Sequence, residues 1–196
     1  GPRGGERGGS SSSVWLGPPR RAVGGFSYPA PRKLDEVVKL ALFERESSER
    51  VEEIWTEYHD SKEFNIAEAW TEKDFRAVEE RGRSAPLFIF PVRRDGGYFV
   101  VLSQVQGRHI LFTYLDDYRR DPAGANPYLV VTLYDELVSS KGLVLVRGDV
   151  TPLALDAPEA SRLLHLLREF YLDRFDQVQA FNAGNFDFEA HLRDCP

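Results

Sequence analysis

The sequence predicts an α+β fold: a mainly antiparallel β-sheet of about five or more strands, covered by helices. Residues 87–114 alternate aromatic and β-branched runs of strand length with short Gly-bearing turns, the pattern of consecutive antiparallel strands. Two further runs, 128–133 and 143–150, have the same apolar character and are expected to join the sheet. A sheet this apolar needs a covering layer, and amphipathic helical stripes on both sides of the strand region supply it.

In chain order, residues 1–31 are rich in Gly, Ser, Pro and Arg, show no periodicity, and cannot bury enough apolar surface to offset the entropy of ordering. They read as a disordered basic leader, either the Arg-rich, Ser-rich, acid-poor remnant of a transit peptide or a plain unstructured tail. With no initiating Met, the chain is expected to be a fragment or a processed form. Residues 32–196 are expected to fold as a single α+β domain. Leu34, Val37, Val38, Ala41 and Leu42 make a first helical stripe. Ser47 or Ser48 caps a second helix, whose buried face reads Val51, Ile54, Trp55 and Tyr58. Thr71, with Asp74 three residues on, opens a third through Phe75 and Val78, which Gly82 is expected to stop.

Strands over 87–92, 98–105 and 109–114 follow, turned at Asp95-Gly96-Gly97 and Gln106-Gly107-Arg108, where glycine tolerates positive φ. Residues 116–120 read as a short helical turn broken by Pro122 and Gly124, and 135–140 as a connector. Asp156 and Glu159 bracket Pro158, a helix entry. Ala160, Leu163, Leu164, Leu167, Phe170 and Tyr171 then form the cleanest stripe in the chain, expected to lie across the sheet. Phe181, Phe186 and Phe188 alternate with polar residues as a last strand or an ordered extension.

Composition bounds the chemistry. The 196 residues are 42% hydrophobic and 29% charged, enough for a real core. No apolar run approaches the roughly 20 residues of a membrane helix, so no membrane insertion is expected. The single cysteine, Cys195, excludes a disulfide framework and a cysteine metal site, and no Asn-X-Ser/Thr sequon hints at secretion. Residues 1–33 hold six cations against one acid, a balance of +5, so the rest of the chain carries −11 within a total of −6. An acidic body argues against a nucleic-acid partner, which wants a basic face.

His59, His109, His165 and His191 lie far apart without ligand spacing and read as surface or satisfied core residues. Neither a Gly-rich phosphate loop nor a GxSxG elbow occurs. Asp116 and Asp117 read as a helix-start charge cluster rather than an acid/base couple. Arg147-Gly148-Asp149 spells an adhesion tripeptide, but it ends an apolar strand in a chain without secretory features and reads as coincidence. No catalytic residue, cofactor or metal is assigned. Four aromatics, Phe64, Trp70, Tyr118 and Tyr128, fall outside the clear stripes. They either pad the sheet edges or mark a partner surface.

Several stretches carry a resemblance. They are Arg32-Lys33-Leu34-Asp35-Glu36-Val37-Val38-Lys39-Leu40, Ile54-Trp55-Thr56-Glu57-Tyr58-His59, and Leu111-Phe112-Thr113-Tyr114-Leu115-Asp116-Asp117-Tyr118. Lys141-Gly142-Leu143-Val144-Leu145-Val146-Arg147-Gly148-Asp149-Val150, Phe170-Tyr171 and Phe181-Asn182 complete the set. In order and spacing over roughly residues 32–192, the chain resembles the mitochondrial assembly factors that chaperone the β subunit of the ATP synthase catalytic head. Residues 64–70 and 173–180 fit that pattern less well.

The resemblance implies a monomeric, non-enzymatic protein of the mitochondrial matrix, imported on its basic leader and needing no cofactor. It would bind the unassembled ATP synthase β subunit, prevent its aggregation and release it to the α subunit. Physically, a lone β subunit exposes apolar surface meant for α, and such surface drives aggregation. A partner that buries more of that surface can displace the chaperone without ATP. A scaffold for another complex, or a small enzyme with an unrecognised site, stays open. Tyr118, Arg147 and Tyr128 are the expected partner-binding residues, near the exit of the third strand and the end of the fifth. Tyr118 can bury its ring and keep a polar tip, and Arg147 can reach a carboxylate on a partner. The competing expectation is that Tyr118 and Arg147 touch each other and pin the 116–120 turn to the sheet.

Overall fold

A computed structural model describes residues 31–196. The expected leader, residues 1–31, lies outside the described residues apart from Pro31. One 6-stranded sheet organises the rest: β1 (Asn65–Thr71), β2 (Leu87–Arg94), β3 (Gly97–Gln106), β4 (His109–Tyr114), β5 (Pro127–Tyr134) and β6 (Leu143–Val150). The order is β1-β6-β5-β4-β3-β2, and every neighbouring pair is antiparallel, as the alternation of apolar runs and turns predicts. Gly96 and Gly107 turn the first hairpins at φ of 87° and 62°, the left-handed region their positions require.

The helices are α1 (Leu40–Phe43), α2 (Ser48–Asp60), α3 (Glu72–Ser84), α4 (Leu115–Arg120), α5 (Val138–Lys141), α6 (Ala157–Asp173), α7 (Phe175–Asn182) and α8 (Phe188–Asp194). Side-chain caps start the longer ones. The Ser47 hydroxyl accepts the Arg50 N–H, and the Thr71 hydroxyl accepts that of Asp74. Asp156 and Glu159 close a reciprocal capping box at the head of α6.

Strand alternation divides the core into two clusters. On β6, Val144, Val146 and Val150 join the larger one, with Phe75 and Val78 of α3, Leu163, Leu167 and Phe170 of α6, and Phe181 of α7. Leu143 and Leu145 point the other way, into a cluster with Leu34, Phe43, Val51, Trp55, Tyr134 and Leu137. The buried Trp55 indole N–H donates to the Val146 carbonyl at 3.0 Å and fixes α2 to this second face.

Five expectations need correction. β1 was not anticipated: Asn-Ile-Ala-Glu-Ala-Trp-Thr carries little β propensity, and pairing with β6 supplies what the local sequence lacks. The first stripe is not one helix. Lys39 is extended and separates a 3₁₀ turn at Leu34–Glu36 from α1. Each piece buries its own anchor, Leu34 or Phe43, and Leu42 is left exposed. The inner face of α2 is Val51, Trp55 and His59, and Tyr58 is exposed. Gly82 does not end α3; a Cβ there would collide with Val105, so this glycine serves close helix–sheet approach. The tail holds two helices rather than a strand.

Those last helices seal a sheet edge. Asn182 of α7 accepts the Leu87 N–H at 3.2 Å through Oδ1 and donates through Nδ2 to the Leu87 carbonyl at 2.6 Å. The His191 Nε2–H of α8 donates to the Ile89 carbonyl at 2.9 Å. An open edge strand invites pairing with another chain, and β2 is stitched along the edge that would otherwise be open. Phe88, Phe181, Phe186 and His191 pack beneath, with ring centroids 5.1–5.7 Å apart.

Candidate partner interface

Arg147 lies on β6 between Ala67 of β1 and Thr132 of β5, on the face covered by α2. It is buried, 8% exposed. Its guanidinium grips Asp149 Oδ1, with Nη2 at 2.7 Å and Nε at 3.2 Å, and the Asn65 amide donates to the same oxygen at 2.8 Å. Gly148 between them faces the opposite side of the sheet. A Cβ there would lie 2.5 Å from Ile66 Cγ1 and 2.9 Å from Leu129 Cδ1, so the position is filled by its neighbours. The tripeptide is thus a piece of strand architecture.

Tyr118 is half-buried on α4, which packs on β3 and β4. Burial raises its phenol above the ordinary tyrosine range, and a hydrogen bond with the Gln104 side chain acts the other way. β5 lies between this region and β6, and Tyr118 and Arg147 each have their own partner. Tyr128 is also half-buried rather than exposed. It stacks on Tyr114 with centroids 6.0 Å apart and an interplanar angle of 9°, and Phe99 closes the group at 6.3 Å. Tyr114 and Phe99 were missed as members because they read as strand residues; a diagonal aromatic match between neighbouring strands was the available signal. Trp70 proves wholly buried, its indole N–H on Glu68 at 2.8 Å.

The exposed large apolar residues among those described are Leu42, Tyr58, Phe64, Tyr98 and Leu153. Phe64 and Leu153 line one cleft of about 600 Å³ together with Asp60, Lys62, Glu63 and Asp156. Phe64 was flagged from sequence. Leu153 was not, since nothing in Thr-Pro-Leu-Ala announces an exposed side chain.

Five titratable groups lie outside that cleft. His59 and His191 are buried, each donates to a backbone carbonyl, and burial holds each imidazole below its ordinary value. Burial also pushes the Tyr134 phenol up to about 12, while its hydroxyl donates to the Arg32 carbonyl at 2.7 Å. Asp116 and Asp117 pair with Arg119 and Arg120 within α4. Among the described residues these five groups do not share one cavity, while Asp60, Lys62, Glu63, Arg94, Asp156 and Glu159 line the cleft beside Phe64.

Comparison with known proteins adds the lineage. A family model described as "ATP11 protein" matches residues 25–191. The chain is similar to the Homo sapiens "ATP synthase mitochondrial F1 complex assembly factor 1", at 25% identity over 166 residues, covering 83% of this chain and 50% of the relative. The Mus musculus protein of the same name is 27% identical, covering 83% and 51%. That of Danio rerio is 24% identical over 170 residues, covering 85% and 55%. The chain therefore spans about half the length of the curated relatives it matches.

Proposed function

We propose, from the premise that this chain belongs to the ATP11 protein family, that it is an assembly factor for the F1 part of the mitochondrial ATP synthase. Within that role it holds the unassembled β subunit in the matrix, keeps it from aggregating and yields it to the α subunit. It acts by binding and not by catalysis. The single observation that carries the reading is the family match across residues 25–191, which takes in every strand of the sheet.

The fold supports it physically. An open edge strand invites pairing with a client, and one of the two sheet edges, β2, is closed by Asn182 and His191. Its buried polar side chains Arg147, His59 and His191 are engaged in internal hydrogen bonds. A chain carrying −11 beyond its first 33 residues favours a client surface of positive potential.

The test is a pull-down from mitochondrial extract with the tagged chain. Recovery of F1 β, with little α, supports the reading. Recovery of another complex without F1 subunits overturns it and favours a scaffold role elsewhere.

A further inference from the structure

We propose that the turn bearing Leu153 is a preformed docking knob for the F1 β subunit, an inference that rests on the reading above and adds the surface through which it works. The Ala154 N–H donates to the Thr151 carbonyl at 3.2 Å and closes a four-residue turn, with Pro152 second and Leu153 third. Leu153 has φ of 67°, the one positive φ among the described residues that is not a glycine. The third place of such a turn belongs by default to glycine. A leucine there is disfavoured by conformation, and it gains no burial in return, because the residue is 102% exposed. Internal packing gives no reason for this residue; a contact outside the chain does.

The turn is held firmly. Thr151 donates its N–H to the Tyr128 carbonyl at 2.8 Å and its hydroxyl to the Pro127 carbonyl at 2.9 Å. Arg94 donates to the Ala154 carbonyl at 2.9 Å while its guanidinium grips both Glu159 oxygens at 2.7 and 2.8 Å. A backbone already held in its presenting conformation avoids part of the ordering cost of a mobile loop, which favours association. Phe64, 42% exposed, shares the cleft and widens the apolar contact.

Charge sets the chemistry of the surface that fits here. Asp60, Glu63 and Asp156 line the cleft against Lys62, and Arg94 is neutralised by Glu159. Asp60 and Glu63 make no ion pair among the described residues. The surface that complements this cleft is an apolar pocket flanked by Lys or Arg. Contact of this kind is expected to weaken as salt screens the rim.

The experiment is titration of isolated F1 β with the full chain, at low and high salt. Leu153→Gly and Leu153→Asn both suit positive φ, so their thermal melts should be unchanged or raised. The expected result is a loss of affinity of about tenfold or more in both, the effect of removing an interface anchor. The charge reversal Asp60→Lys with Glu63→Lys should weaken binding and flatten its salt dependence, and Tyr98→Ala should do neither. Equal affinity of wild type and the Leu153 variants overturns the knob and leaves the chaperone reading standing. Failure of the wild-type chain to bind β overturns that reading and the knob with it. A wild-type dimer that Leu153→Gly dissolves also overturns the proposal, since a second copy then occupies the turn.

Discussion

Arg147 and Asp149 sit two positions apart on β6, and so on one face of the sheet, where the guanidinium holds the carboxylate at 2.7 Å. The relationship is one-sided in solvent: the arginine side chain is 9% exposed and the aspartate 43%. Arg147→Ala removes a buried charge that acts on His59 and Tyr134 and frees Asp149 toward water. We expect a loss of about 1–2 kcal/mol, below that of a fully buried pair because one partner is wet. Denaturant unfolding checks the size. Aggregation suppression should fall in parallel with stability; a fall at unchanged melt would mark Arg147 as a docking residue instead.

Asn182→Ala should cost about 1–3 kcal/mol, since it leaves both backbone groups of Leu87 without partners in a part-buried place. It also opens the edge of β2. The expected signature is a lower melt together with concentration-dependent self-association, seen by sedimentation. A lower melt with a strictly monomeric protein would separate stability from edge protection.

Much of this was legible in the sequence for definite reasons. The β2–β6 meander could be read because apolar runs and glycine turns are local signals, and Asp156 with Glu159 fixed the start of α6. β1 could not be read, because its stability comes from β6, some 80 residues away. His59 was left open between surface and core because a polar residue on a core face is recognised only once its carbonyl partner, Trp55 O, is in view. The partner surface was least legible. Tyr118 and Tyr128 look free along the chain and are half-buried in space, while Leu153 looks ordinary and is the most exposed apolar side chain described.

Stability should fall in two stages with acid. Burial holds His59 and His191 below the ordinary histidine value; the charges of Arg147 and Arg174 add to this, and their bonds to Trp55 and Ile89 oppose it. Below about pH 6.5 the unfolded chain therefore binds more protons than the folded one. Their contribution is complete above that value and is lost as pH falls toward the folded-state values. Glu79 and Glu159 are held below the usual carboxylate range, first by hydrogen bonds from Arg108 and Arg94. Their contribution persists to about pH 4.3 and is lost below it. Melts from pH 8 to pH 3.5 should show both limbs, and His191→Gln should flatten the upper one.

The central claim is that this chain holds F1 β until α takes it. The most direct measurement is light scattering of denatured β diluted into buffer with an equimolar amount of the chain, followed by addition of α without ATP. The account predicts that scattering is suppressed and that α then recovers β in a complex while the chain elutes free. Scattering that rises at the same rate with and without the chain would contradict it.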